Sequence, residues 1–155
     1  MKYAILAAGE GSRLHHEGIA VPKPLVTVAG ETLIDRLIRI FMKNGAEKIS
    51  VICRSEQQVV HHLQQCQHAG LPIEFMVRDT PSSMHSFYEL TNIMDAGLPF
   101  VVTTIDTIFK EEEFAAYLEA FLHMLKKREG DGLMGVTDYI DDEKPLYVKT
   151  DDNQG

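Results

Sequence analysis

Lys2-Tyr3-Ala4-Ile5-Leu6-Ala7-Ala8-Gly9-Glu10-Gly11-Ser12-Arg13-Leu14 is the stretch that decides how this chain reads. Behind one lysine, the run from Tyr3 to Ala7 is continuously apolar, without the polar/apolar alternation of a half-buried strand. Such a run suits a central parallel strand covered on both faces. Glycines directly after it let main-chain N–H groups converge on an anion with no Cβ in the way. Arg13 adds a guanidinium able to grip phosphate oxygens bidentately. Ala7, Ala8, Gly9, Gly11, Ser12 and Arg13 are therefore the candidate phosphate cradle. It is not a Walker loop, because no Gly-Lys-Ser/Thr follows, and a dinucleotide fingerprint would need its third glycine where Leu14 stands.

Outward from this strand, short apolar runs alternate with segments of helical period, the pattern of an α/β domain. Residues 31–44 place Leu33, Ile34, Leu37, Ile38 and Phe41 on one helical stripe, and Gly45 stands where a C-terminal glycine cap belongs. A strand is expected at Lys48–Cys53, a more polar helix over 56–68, a strand at Pro72–Val77 and a helix over 83–94 capped by Ser82 or Ser83. Phe100–Ile105 reads as a strand. Residues 110–128 form the strongest helix, with acids at its start, bases at its end, and Phe114, Leu118, Phe121 and Leu125 on one face. Gly132–Tyr139 and Pro145–Thr150 read as two strands around the acidic turn Asp141-Asp142-Glu143-Lys144. This order predicts a three-layer α/β/α sandwich with a mostly parallel, Rossmann-like sheet, its ligand at the carboxyl ends of the strands.

The chain holds 155 residues, 45% hydrophobic and 25% charged, a composition of ordinary globular domains, and one domain over 1–155 is the expectation. At this length folding buries roughly 70% of the surface of the unfolded chain, so no metal or disulfide staple is needed. A net charge of −8 argues against a dedicated binder of nucleic acid or of acidic membrane. The balance is uneven: residues 1–54 carry eight Lys/Arg against five Asp/Glu, and residues 55–155 carry seven against eighteen. The N-terminal third is the part electrically suited to phosphate. Cys53 and Cys66 have no C-x-x-C or zinc spacing and read as buried reduced thiols. The histidines His15, His16, His61 and His62 read as solvated side chains, and Glu111-Glu112-Glu113 as a helix N-terminus favouring negative charge. No apolar run reaches the roughly 18–20 residues of a membrane span, and none resembles a signal segment. The chain reads as cytoplasmic.

A second element joins the cradle. Pro22-Lys23-Pro24-Leu25 sets a lysine between two prolines, a stiff loop that holds a point charge in place.

The residues quoted so far carry a resemblance. A-A-G-x-G-S-R-L at 7–14, Lys23 ten residues beyond Arg13, and V-x-G-x-x-L-I-D-x-x-I at 28–38 resemble the nucleotidylyltransferase (sugar-nucleotide pyrophosphorylase and choline-phosphate cytidylyltransferase) superfamily from Lys2 to about Val51. The ten-residue spacing fits the sugar-phosphate and choline-phosphate branches better than the molybdopterin guanylyltransferase or methylerythritol-phosphate cytidylyltransferase branches, whose spacing is shorter. The resemblance implies the nucleotide-diphospho-sugar transferase fold and transfer of a nucleoside monophosphate from a nucleoside triphosphate to a phosphorylated small molecule. It implies Arg13 and Lys23 as catalytic residues on the phosphates. It also implies Asp106, at the end of the Phe100–Ile105 strand, as the ligand of Mg²⁺, with Ile105 replacing the family's glycine. Between them, where sugar pyrophosphorylases carry L-G-T-A, stands Asp79-Thr80-Pro81-Ser82-Ser83-Met84-His85-Ser86, which is nearer to the polar stretch of choline-phosphate enzymes. Ser82 and Ser83 face base or ribose, or cap the helix.

Family members usually run beyond 155 residues and take a second metal-binding aspartate from later strands. The resemblance therefore implies a domain incomplete at its C-terminus, with Asp151 or Asp152 as the substitute ligand to weigh. A noncatalytic nucleotide-binding regulatory domain, or a truncated remnant, is the alternative to an enzyme.

Overall fold

β1, Lys2–Ala7, is the second strand from one edge of a four-stranded, all-parallel sheet. The structure, a computed structural model, describes residues 1–9, 18, 20–94, 97–137 and 147–149. β1 runs beside β4, Lys48–Cys53, in the register Lys2 with Lys48 through Ala7 with Cys53, and on its other side beside β6, Phe100–Thr104. β5, Ile73–Val77, completes the order β5-β4-β1-β6. Tyr3, Ala4 and Ile5 are all at most 1% exposed, which is why this strand reads as an unbroken apolar run rather than an alternating one.

Both faces of the sheet are covered, giving three layers. One face receives α1, Leu33–Lys43, where the Phe41 ring stacks on Tyr3 at 4.3 Å and the Tyr3 hydroxyl donates to the carbonyl of Asn44 at 2.9 Å. α2, Gln57–His68, packs beside it on β5. The other face receives α3, Ser83–Leu90, whose Leu90 joins Ala4, Ala8 and Ile52 in a second core, with Leu6 and Met76 against it. Alternate residues of β1 thus feed two separate cores.

The ends of α1 explain its position. Thr32 caps it, its hydroxyl accepting from the Asp35 amide at 3.2 Å and donating to the Asp35 carboxylate at 2.6 Å. At the other end Gly45, at φ 72°, closes the helix, with its amide donating to Met42 and that of Ala46 to Phe41. This is the Schellman arrangement, in which only glycine sits without strain. Before α1 stands an element the sequence reading does not anticipate, a hairpin of β2, Thr27–Val28, and β3, Glu31–Thr32. Ala29 and Gly30 both have positive φ, 53° and 87°, as a two-residue type I′ turn requires. Arg39 grips Glu31 through two bonds of 2.9 and 3.0 Å, tying the hairpin to α1.

The chain divides into two compact units, Met1–Ile108 and Phe109–Gly155. The second contains α4, Glu111–Lys127, with a ladder of rings along it: Phe109 on Phe114 at 4.8 Å, Phe114 by Tyr117, Tyr117 by Phe121. The Tyr117 hydroxyl donates to the Leu133 carbonyl at 2.7 Å. Here the expectation fails in part. Residues 132–137 and 147–149 carry no strand, and the rest of both expected strands lies outside the described residues. The acidic turn 141–144 lies outside the described residues.

Candidate functional site at the carboxyl ends of β1 and β6

The strand order reverses between β1 and β6. From β1 the chain moves by α1 to β4 and by α2 to β5, and then α3 carries it back across to the far side of β1. In open parallel sheets the crevice outside the carboxyl ends of the strands at such a reversal is where ligands bind.

Three of the residues singled out above meet this crevice from different segments. Ala7 ends β1 at 2% exposure and Ala8, 3% exposed, follows it in the second core, while Gly9 emerges exposed. A Cβ built on Gly9 would meet no atom of the described residues within 4 Å, its chain neighbours aside. Gly11, Ser12 and Arg13 lie outside the described residues.

Lys23 opens a short 3-10 turn, Lys23–Leu25, in which Pro22 accepts from the Leu25 amide at 2.8 Å and Lys23 from that of Val26 at 3.2 Å. Pro24 is buried, so the turn is pinned and the lysine is aimed rather than free. Its ammonium meets the Asp106 carboxylate at 2.6 Å. Asp106 reaches that point because the Ile105 amide still donates to the Leu6 carbonyl at 3.1 Å, extending the β1–β6 ladder one residue beyond β6. A turn follows, with the Thr107 amide donating to Thr104 and the two threonine hydroxyls 2.8 Å apart. Ile105 is 3% exposed, so it fills the core where a glycine would leave room.

Partial burial pushes the Asp106 carboxyl up, but the hydrogen bonds from Lys23 and Thr104 and the lysine charge outweigh it and hold the group below its ordinary value. The lysine side chain is 23% exposed and the aspartate 52%. The crevice thus presents an aspartate held ionised beside an aimed cation.

On the other side of Gly9 lies a cleft of about 290 Å³, lined by Ala8, Gly9, Thr80, Ser82, Ser83 and Ser86 among others. Ser82 caps α3, accepting from the His85 amide at 3.4 Å, and its hydroxyl lies 2.8 Å from His85 Nδ1. Ser83, the first residue of α3, is exposed on the cleft wall. Ser82 therefore takes the capping role, and both Ser82 and Ser83 line the cleft. Thr80 and Ser86 are new to this wall: their hydroxyls stand 2.5 Å apart, and Ser86, 3% exposed, also donates to the Ser82 carbonyl. Their only signal in the sequence is a polar run before a helix. A second hollow, at the amino ends by Lys2 and Phe100, measures about 10 Å³, room for one water at most.

A family profile described as the MobA-like NTP transferase domain matches residues 3–148. The chain belongs to this family. Among similar proteins, a "Bifunctional IPC transferase and DIPP synthase" of Rubrobacter xylanophilus is 30% identical over 147 residues, covering 94% of this chain and 30% of the relative. A 2-aminoethylphosphonate cytidylyltransferase of Lancefieldella rimae is 26% identical over 108 residues, covering 70% of this chain and 44% of the relative. The chain thus spans less than half the length of either. In three dimensions it overlays the inositol-1-phosphate CTP transferase of T. maritima with a TM-score of 0.60 over 76% of this chain and 46% of that one, at 19% identity, which is a likeness of fold. The NTP transferase domain is thereby shown, with its Rossmann-like sheet.

Among the described residues no helix is long and apolar enough to cross a membrane.

Proposed function

We propose that this chain handles the nucleotide in an enzyme that transfers a nucleoside monophosphate from a nucleoside triphosphate to a phosphorylated small molecule, releasing pyrophosphate. The observation that carries the reading is the aimed Lys23–Asp106 pair at the β1/β6 crevice, at the same end of the sheet as the exposed Gly9. A pair of opposite charges there serves an anionic ligand and its counter-ion together, which a mere turn or a solvated lysine would not require. The regulatory alternative has no need of both groups.

In this reading the amides from Gly9 onward and Arg13 hold the β- and γ-phosphates. Lys23 neutralises the α-phosphate and the incoming phosphate. A phosphate oxygen of the acceptor forms the new bond to the α-phosphorus as the bond to pyrophosphate breaks. No general base is required, since the attacking oxygen is already anionic. The residues' work is positioning and charge neutralisation.

Asp106 fits a magnesium ion. It offers a hard oxygen donor kept ionised by its neighbours, half-exposed at a strand end. Magnesium typically takes only one or two protein carboxylates and completes its shell with phosphate oxygens and water. When bound, Mg²⁺ would supply charge neutralisation on the triphosphate.

The base is assigned as cytosine and the acceptor as a small phosphate or phosphonate, of the sugar 1-phosphate or choline-phosphate kind. The support is the ten-residue Arg13-to-Lys23 spacing, the hydroxyl-rich wall of the cleft, and the cytidylyltransferase and CTP transferase named among the similar proteins. The Ser83 hydroxyl is assigned to the base or ribose. The supply of nucleoside triphosphate makes the cytoplasm the expected compartment.

Titration of CTP, UTP, GTP, ATP and dTTP with Mg²⁺, beside pyrophosphate release with choline phosphate, glucose 1-phosphate and 2-aminoethylphosphonate, tests the reading. One triphosphate, CTP, should bind best, and Arg13→Ala should weaken it. Binding of none of the five, with no pyrophosphate released, overturns the reading.

A further inference from the structure

Away from the crevice, α1 and α2 bring together three side chains that the sequence keeps far apart. Asp35 stands in the first turn of α1, and His62 and Cys66 lie four residues apart on α2, hence on one face of that helix. One carboxylate oxygen, one ring nitrogen and the thiol sulfur all lie within 4.8 Å of one another. The geometry points to a site for a borderline-soft divalent cation, Zn²⁺ by chemical class, held by Asp35, His62 and Cys66.

Several features make this more than a chance meeting. A mixed O, N, S donor set matches zinc, and its three ligands leave a fourth position for water. Tetrahedral bonds of about 2.0–2.3 Å put ligand atoms about 3.3–3.7 Å apart, so separations of at most 4.8 Å need to change by no more than about 1.5 Å. His62 Nε2 lies 2.7 Å from Asp35 Oδ1, a hydrogen-bonded pair that opens by about 0.6 Å to admit the ion between them. The second carboxylate oxygen is oriented independently, by the 2.6 Å hydrogen bond from the Thr32 hydroxyl. That is the outer support by which ligand carboxylates are usually fixed. Cys66 is 9% exposed, while the Asp35 and His62 side chains are 38% and 27% exposed, so the sulfur is sheltered and the oxygen and nitrogen face an entry path. The hard-donor position at Asp106 shares none of these residues, and the inference stands apart from the proposed nucleotide chemistry.

The simpler account is a hydrogen bond between helices beside a buried thiol. The purified chain, stripped with chelator and given one equivalent of Co²⁺, separates the two. A thiolate-to-cobalt charge-transfer band should appear in the near ultraviolet, vanish in Cys66→Ser, and require at least about tenfold more metal in His62→Gln. Cys53, the other cysteine, is 0% exposed, so a band surviving Cys66→Ser would overturn the assignment. Zn²⁺ at about a hundredfold excess over its Kd should raise Tm by about 5–10 °C in the wild type and not in the double variant that combines His62→Gln with Cys66→Ser. Melting of each variant in chelator verifies that it folds. No band in the wild type, or equal zinc stabilisation of wild type and double variant, refutes the site and leaves the hydrogen bond alone.

Discussion

Replacing Lys23 by methionine keeps the length of the side chain and removes its charge. The cost to folding should be small. The pair it breaks is only partly sheltered, with Lys23 23% and Asp106 52% exposed, and such ion pairs contribute about 0–1 kcal/mol. For a chain of this size that is a fall in Tm of no more than about 4 °C. The cost to function should be large. An ammonium about 4 Å from a phosphate charge, at an effective dielectric constant of about 20, gains about 4 kcal/mol before desolvation is subtracted. Loss of one preorganised donor in known sites costs about 2.7–4 kcal/mol, which agrees. Pyrophosphate release under saturating CTP and Mg²⁺ should therefore fall by roughly two to three decades. Calorimetric melting and the release assay on the same preparations give both numbers. A variant within about threefold of wild-type turnover, or one that loses activity only because it melts, would refute the assignment of the lysine.

Asp106 gives a pH test. Its folded value lies below the ordinary one, so the stability it contributes is full above the unfolded value and is lost as pH falls through the folded value. The gap in stability between wild type and Asp106→Asn should shrink as pH is lowered below about 4, and a gap unchanged down to about pH 2 would contradict the pairing. Gly9→Val adds a side chain where no atom of the described residues beyond its chain neighbours lies within 4 Å, so urea melts should be nearly unchanged while triphosphate affinity falls at least about tenfold. Equal affinity would show that phosphate does not approach there. Burial pushes the Cys53 thiol up to about 12, with Glu56 and Asp79 adding to it, so in the folded chain Cys53 should resist alkylation near pH 8, as peptide mapping after iodoacetamide would show.

Much of this architecture is legible in local order. The apolar run Tyr3–Ala7 has no polar alternation because β1 lies between two strands and under two helical layers, and such burial leaves its mark directly on composition. α1 is equally plain, since Thr32, Gly45 and the stripe between them act through neighbours within a few residues. The β2–β3 hairpin escapes notice because its strands have two residues each and its turn places an alanine at positive φ, a position where alanine gives no signal. After α4, strand propensity is not matched by pairing among the described residues.

The site divides along the same line. Gly9, Lys23 and Asp106 are each recognisable by residue type and by the element they follow. Their meeting is not, because Lys23 and Asp106 are 83 positions apart and join only through the ladder that sets β6 against β1. The same holds for Asp35, which reaches His62 across 27 positions, so that histidines reading as solvated turn out to include one paired to a carboxylate beside a thiol. Sequence by itself determined most of the elements, the candidate phosphate segment and the family resemblance, because periodicity, caps and glycine spacing act over a few residues. Tertiary structure alone decided which charges face one another, because parallel pairing and helix packing set distances between side chains that no local pattern encodes.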